Sequence, residues 1–188
     1  MREIQDNALI RCFLCIDFPN GIIKEVARVQ ELIGKKNFIG KFTELENLHL
    51  TLKFLGETEE DKVDKVKDLL KEINFNKFRL KLGNIGIFHV RKDPRIIWIK
   101  VLGKEIYELQ KNIDDLMEKE GFKREERFMG HLTIARIKYV KDKKGFENHV
   151  KNISVKPLEF DLNNFKLIKS ELMPQGPIYT ELEEYELS

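Results

Sequence analysis

A short pattern of histidine and threonine occurs twice in this sequence of 188 residues. The segment His49-Leu50-Thr51-Leu52 returns in the second half of the chain as His131-Leu132-Thr133-Ile134. Random placement of so few histidines and threonines would give only about 0.1 His-x-Thr matches. The duplication therefore indicates two segments that each contribute one histidine and one threonine to a shared site.

Paired histidines are suited to acid–base chemistry because their unperturbed pKa lies close to neutrality. One imidazole can accept a proton while the other donates one. A threonine hydroxyl two residues further on could hold a phosphate oxygen and stabilise the charge that develops there. One such pair alone would be ascribed to cross-strand hydrogen bonding. The sequence has no His-x-His or His-Glu-x-x-His pattern, and we expect neither a metal nor a cofactor.

Both motifs lie in runs of residues that alternate as β-strands do. Side chains on a strand point to opposite faces in turn, which places His49 and Thr51 on one face. Leu50 and Leu52 then point to the other face, toward a core. The run that begins at His131 repeats this arrangement.

The wider pattern of apolar residues predicts helix, motif strand, helix, strand and strand in each half of the chain. Predicted strands cover residues 9–18, 48–55, 78–89, 96–102, 129–140, 154–172 and 178–187, and predicted helices cover 22–34, 58–73, 104–120 and 143–152. The second helix is expected to begin with Thr58 as its cap and Asp61 three residues later. We infer an α+β fold with two antiparallel sheets, outer helices and a central groove that carries both motifs. Residues 1–188 then form one bilobal domain, with pseudo-repeat halves of roughly 1–102 and 103–188.

The charge balance excludes a protein that is basic throughout. Lys and Arg number 34 and Asp and Glu 32, for a net charge of +2, so any contact with nucleic acid should be a local patch. Two basic clusters flank the second motif and could either steer RNA or form a solvated surface. They are Lys138, Lys141, Lys143 and Lys144 on one side, and Lys123, Arg124 and Arg127 on the other.

No apolar leader occurs over Met1–Asp6, and no run of about 18 apolar residues exists, so we expect a cytoplasmic monomer without a membrane span.

The two cysteines form a Cys12-x-x-Cys15 pattern that could be a redox pair or half of a zinc site. Strand alternation, however, sends their thiols to opposite faces, and no second cysteine pair is present. Packing in the core is therefore the favoured interpretation.

Several stretches of the chain resemble the two-histidine phosphoesterase superfamily. The similarity is greatest to its bacterial and archaeal RNA 2′,3′-cyclic phosphodiesterases, also called 2′-5′ RNA ligases. The resembling stretches are RCFLCIDFP at 11–19, ENLHLTLKFLG at 46–56, GHLTIAR at 130–136 and SELMPQGPIY at 170–179. Together they extend over nearly the whole chain.

This resemblance implies metal-independent hydrolysis of a 2′,3′-cyclic phosphate at an RNA end to a 2′-phosphate, with tRNA fragments among the expected partners. It assigns His131 as proton acceptor and His49 as proton donor, with Thr51 and Thr133 holding the phosphate oxygens. The residues alone leave open which histidine is the acid. Run backwards, the same site could join a cyclic phosphate to a 5′-hydroxyl.

Three further residues are candidates for substrate binding. Arg136 and Phe54 each stand five residues after a motif histidine, and strict alternation points both away from the motif face. Arg136 could still reach a phosphate if the strand bulges, the alternative being a surface ion pair. Phe54 is placed in the core in preference to a base-stacking position, and Arg11 is the third candidate.

Two other classes of function stay open at this stage. One is a module that binds RNA ends without turnover, and the other is a phosphodiesterase for small cyclic nucleotides. A thiol redox protein would need Cys12 and Cys15 to bridge. The remaining histidines, His89 and His149, are expected to be solvated or structural.

Overall fold

A computed structural model of the chain describes residues 8–188, and the expected absence of a leader over Met1–Asp6 lies outside these residues. The strands are β1 (Leu9–Asp17), β2 (Ile39–Phe42), β3 (His49–Glu59), β4 (Phe78–Val90), β5 (Asp93–Leu102), β6 (His131–Tyr139), β7 (Glu159–Leu162), β8 (Asn164–Met173) and β9 (Gly176–Glu186). The helices are α1 (Asn20–Ile33), α2 (Glu60–Leu70), α3 (Glu105–Lys119) and α4 (Lys143–Lys151). None of these helices is long and apolar enough to cross a membrane.

The strands form two antiparallel sheets, which confirms the predicted α+β class. Sheet A has the order β3-β1-β8-β9, and sheet B has the order β2-β6-β5-β4-β7. Each sheet draws strands from both halves of the sequence. The first motif begins β3 at the edge of sheet A, and the second begins β6 inside sheet B. The single domain with halves near 1–102 and 103–188 stays a prediction.

The core lies on the faces of the sheets that point away from the motif residues. Leu50 of β3 and Leu132 of β6 are fully buried there, as alternation predicts. The helices cover this side with apolar positions at helical spacing, such as Val26 and Val29 of α1 and Ile113 of α3, none of which is exposed. Burial of these side chains is the main stabilising contribution to the fold.

The two cysteines are free, buried thiols on opposite faces of β1, as the sequence predicted. Cys12 belongs to the main core, whereas Cys15 packs with Phe13 and Ile168 in a small apolar cluster under the motif face. Burial raises the pKa of both thiols, so both stay protonated near neutrality.

Three sequence-based boundaries are wrong. β3 continues past Gly56, whose φ of 74° suits glycine, and α2 begins at Glu60 without a side-chain cap. Thr58 is buried in β3 and does not cap the helix. The predicted strand over 154–172 is two strands in different sheets, separated at Asn163. The short β2 strand was not predicted because four residues carry too little periodicity.

Candidate active site

Each motif strand carries a β-bulge directly after its threonine. Thr51 pairs with Cys15 of β1, and Lys53 is the next residue to pair, so Leu52 has no partner of its own on β1. Ile134 occupies the same position in β6 opposite β5. Because a bulge inserts one residue, it reverses which side chains point to which face beyond it.

The bulges bring Phe54 and Arg136 onto the motif face with the histidines. Both side chains are exposed, Phe54 to 65% of its area, so its predicted position in the core is wrong. Strict alternation also gives the wrong face for Arg136, because the bulge at Ile134 turns its side chain to the motif face. Phe54 contacts Phe13 with ring centroids 6.0 Å apart.

The two histidines are oriented in the same way by the backbone. Nδ1 of His49 lies 2.8 Å from the carbonyl oxygen of Asn47, and Nδ1 of His131 lies 2.7 Å from that of Met129. A carbonyl oxygen only accepts, so Nδ1 donates in both rings and Nε2 is the nitrogen available for proton transfer. Within residues 8–188, neither Nε2 has a hydrogen-bond partner.

Aromatic rings from four other strands hold the two imidazoles. His49 lies between Phe13 and Tyr179, with centroid distances of 4.9 and 5.4 Å. His131 contacts Phe88 at 5.2 Å and Trp98 at 6.5 Å. These contacts could not be predicted from the sequence, because the rings come from β1, β9, β4 and β5 and share no motif.

The Trp98 ring has its place only because Gly86 stands beside it on β4. A Cβ atom added at Gly86 would lie 2.2 Å from the indole ring, far inside van der Waals contact. Glycine is therefore needed here for close approach. The ring it admits packs against His131 and so helps to fix the second imidazole.

The two motif strands contact each other, so the histidines of the two sheets share one electrostatic environment. Burial lowers the pKa of His49, and the nearby positive charges of Arg136 and His131 lower it further. The hydrogen bond to Asn47 and the carboxylate of Asp17 act in the opposite direction, and the net shift is downward. His49 is therefore neutral over a wider range of pH than an ordinary histidine.

The two threonines complete a polar face. Thr51 and Thr133 are half-buried and lie two residues after their histidines, before each bulge. Their hydroxyls have no hydrogen-bond partner within the described part of the chain. Both are therefore free to donate to a bound oxygen atom.

Positive charge converges on the same face from both sheets. Arg11 shares a face of β1 with Phe13, and burial raises the pKa of Tyr179 while the charges of Arg136 and Arg11 lower it in part. Both arginines therefore lie near the Tyr179 ring beside His49. Neither makes an ion pair among the described residues, so the predicted alternative of a surface ion pair for Arg136 is wrong.

The motif face of sheet A is acidic at the end where Asp17 pairs with His49, away from Arg11. Lys166 lies 3.0 Å from Asp17, 2.8 Å from Glu181 and 3.1 Å from Glu184. Burial would lower the pKa of Lys166, but hydrogen bonds to the three carboxylates outweigh it and raise the pKa. The three carboxylates therefore neutralise the charge of Lys166, and an anion would be attracted to Arg11 and Arg136 instead.

The other two histidines are structural, as expected. His89 pairs with Glu147 at 3.0 Å, and His149 bonds the carbonyl oxygen of Leu32 at 3.0 Å. Neither of these hydrogen bonds is made with a motif residue. Over residues 8–188, no group of three or more His, Cys, Asp and Glu side chains could hold a metal ion.

The chain belongs to the LigT-like phosphoesterase family, whose model matches residues 16–98 and 100–179. The resemblance found from the motifs is thereby confirmed. A curated relative from Methanocaldococcus jannaschii, named RNA 2′,3′-cyclic phosphodiesterase, is 37% identical over 94% of this chain and 100% of its own length. A Thermotoga maritima relative of the same name is 33% identical over 93% of this chain and 94% of its own.

Solved structures have the same fold. TT0787 of Thermus thermophilus superposes with a TM-score of 0.79 at 25% identity, covering 94% of this chain and 97% of that one. E. coli LigT in complex with 3′-AMP gives a TM-score of 0.76 at 22% identity, covering 96% and 99%. The two-sheet architecture described above is therefore that of the family.

Proposed function

We propose that this protein hydrolyses 2′,3′-cyclic phosphate ends of RNA to 2′-phosphate ends by paired-histidine catalysis without a metal. The observation that carries the proposal is the matched geometry of His49 and His131, each held at Nδ1 and open at Nε2. Curated relatives that span almost the whole chain and carry the name RNA 2′,3′-cyclic phosphodiesterase support the substrate class.

In the proposed reaction, water attacks phosphorus in line with the departing 3′-oxygen. Nε2 of His131 accepts the proton of the water as the new P–O bond forms. Nε2 of His49 donates a proton to the 3′-oxygen as the old P–O bond breaks, which leaves a 2′-phosphate and a free 3′-hydroxyl. The hydroxyls of Thr51 and Thr133 donate to the non-bridging oxygens, where negative charge builds up.

The lowered pKa of His49 is compatible with its role as donor. A histidine whose proton is weakly held is a stronger acid, although less of it is protonated in the empty site. A bound cyclic phosphate is an anion, and a nearby opposite charge raises the pKa of an imidazole. Substrate binding would therefore load the proton that His49 delivers.

Arg136, Arg11 and Phe54 are the proposed substrate-binding residues. The charge of Arg136 acts on both His49 and Tyr179, and that of Arg11 acts on Tyr179. Each guanidinium group could make charge-assisted hydrogen bonds to phosphate. The exposed ring of Phe54 offers a flat surface for a base.

The same groups acting in reverse would join a cyclic phosphate to a 5′-hydroxyl in a 2′-5′ linkage, although water favours hydrolysis. The monomeric state, the cytoplasmic location and tRNA fragments as substrates stay predictions.

A module that binds RNA ends without turnover would not need both Nε2 atoms free, and here both are free.

The test is a short RNA with a 2′,3′-cyclic phosphate end, incubated with the protein in excess EDTA. We expect a 2′-phosphate product, mapped by nuclease digestion and mass spectrometry. His49→Ala and His131→Ala should each lower kcat by about 100-fold or more, as expected for loss of a general acid or base. His149→Ala, which removes a histidine away from the site, is the matched control. Turnover retained in either motif variant, or abolished when EDTA is added, would contradict the mechanism.

A further inference from the structure

Basic side chains are concentrated on one surface next to the motif face. Segments 91–95 and 136–145 together hold eight basic residues and only two acidic ones, Asp93 and Asp142. The whole chain has a net charge of only +2, so the rest of it is net negative. A local positive patch on such a protein is the electrostatic feature expected of a site for a polyanion.

Side-chain contacts tie the two segments into one surface. Lys143 pairs with Asp93 at 2.5 Å, and Arg95 donates to the carbonyl oxygen of Lys138 at 2.5 Å. Five exposed cations and one exposed aromatic ring are left pointing into solvent, and within residues 8–188 none of the five makes an ion pair. We call this set the basic rim; it comprises Arg91, Lys92, Lys138, Tyr139, Lys141 and Lys144.

The basic rim continues directly from the motif face. Phe88 contacts His131 and lies three residues before Arg91 on the same hairpin, a distance of about 10 Å along a strand. On β6, Lys138 follows Arg136 by two residues. A chain of phosphates anchored at His131 could therefore extend over the rim without a break.

The turn at the tip of the β4–β5 hairpin is an unusual place for two basic residues. Arg91 and Lys92 have φ values of 50° and 71°, in the left-handed region that Asn and Gly adopt most easily. Both conformations carry a steric cost that Asn-Gly at this turn would avoid. The long cationic side chains held at these positions point to a role in binding.

The second basic cluster differs in its pairing. Arg124 is held in ion pairs with Asp115 and Glu118, so its charge is largely neutralised within the protein. The other two cations of this cluster, Lys123 and Arg127, are exposed and make no ion pair among the described residues, but Glu125 and Glu126 stand between them, so residues 123–127 carry a net charge of only +1. The structure favours the basic rim as the one available to a ligand.

We propose that the basic rim binds the phosphate backbone of the RNA nucleotides that precede the cyclic phosphate end. The exposed ring of Tyr139, 56% accessible, offers a stacking surface among these cations. The rim would make an RNA strand a better substrate than a cyclic mononucleotide, which is too short to reach it. The proposal rests on the proposed function, because the two concern the same substrate.

The test compares two substrates on one variant, Arg91→Asn, Lys92→Asn, Lys141→Gln and Lys144→Gln combined. Asparagine tolerates the left-handed turn, so the hairpin should keep its conformation. We expect kcat/KM for an RNA oligonucleotide with a cyclic phosphate end to fall about 10-fold or more at low salt. The log–log dependence on salt should become shallower by about 0.7 for each phosphate that the variant no longer binds. The value for a nucleoside 2′,3′-cyclic phosphate should stay within about 2-fold of the wild type, because a single nucleotide does not extend over the rim.

A matched control removes the same charge from the outer helices, through Lys24→Gln, Lys65→Gln, Lys111→Gln and Lys119→Gln, all at exposed positions. An equal decrease in this control, or an equal decrease on both substrates in the rim variant, would overturn the proposal. If wild-type protein hydrolyses neither substrate, the proposed function fails. The rim is then judged by fluorescence anisotropy with an RNA that ends in a 2′-phosphate. Equal affinity of the rim variant and wild type for that RNA would overturn the rim as well.

Discussion

At the residue scale, substitution of neighbouring charged residues should shift the pKa of His49 in either direction. Arg136 lowers its pKa and Asp17 raises it. Arg136→Gln removes a positive charge and should raise the pKa of His49, whereas Asp17→Asn removes a negative charge and should lower it. Titration of the His49 ring by NMR in the free protein measures both shifts. Shifts of the same sign, or none, would mean that these charges do not act on His49.

The lowered pKa of His49 should also affect the pH dependence of activity. Because the pKa of His49 is lowered, one limb of the bell-shaped kcat/KM profile should lie below the ordinary histidine value of 6.5. Arg136→Gln should move that limb to higher pH. The expected effect of this variant on KM is separate, because loss of the proposed phosphate contact would weaken substrate binding at every pH.

Only some residues of the candidate site could be predicted from the sequence. The repeat identifies His49, Thr51, His131 and Thr133, because two copies of a rare pattern need no knowledge of the fold. Strict alternation fails five residues further on, since a bulge has no reliable signature in a single sequence. The aromatic rings that hold the histidines are set by strand neighbours far apart in the chain, which periodicity does not report.

At the element scale, a buried ion pair joins the first motif strand to the segment before the second. Lys53, which follows the β3 bulge, is buried and donates to Asp114 of α3 and to the carbonyl oxygen of Lys123. The other carboxylate oxygen of Asp114 accepts from the backbone N–H of Glu125 at 2.8 Å. Alternation would place Lys53 on the motif face, and only the bulge turns it toward α3.

Removing one partner of this pair should be costly. Lys53→Met leaves the carboxylate of Asp114 buried without its cation, which typically lowers the free energy of unfolding by about 3–5 kcal/mol. Urea denaturation measures the change. Lys67→Met, which breaks a surface pair with Asp64, should cost less than about 1 kcal/mol. The double variant Lys53→Met, Asp114→Leu should recover much of the stability, since apolar replacement of a buried pair is often tolerated. A single-variant cost as small as that of the surface control would show that the pair is not desolvated.

At the scale of the whole molecule, the two motifs lie together only when both halves of the chain are assembled. Sheet A joins β1 and β3 to β8 and β9, and sheet B places β6 between β2 and β5. A fragment of residues 1–102 would expose the core faces of its strands and leave uncovered the edges that β6 and β8 cover. We therefore expect that neither this fragment nor residues 103–188 folds alone, although sequence repetition suggests two equal halves.

Mixing the two fragments should restore the fold, because the cut falls in the loop between β5 and α3, outside both sheets. Circular dichroism and two-dimensional NMR of each fragment, and of the mixture, measure folding. Hydrolysis of a cyclic phosphate end then reports whether His49 and His131 meet. Recovery of both signals only in the mixture would establish that the duplicated motifs belong to one cooperative unit. A folded spectrum from residues 1–102 alone would instead show two lobes that are stable separately, with the site as their interface.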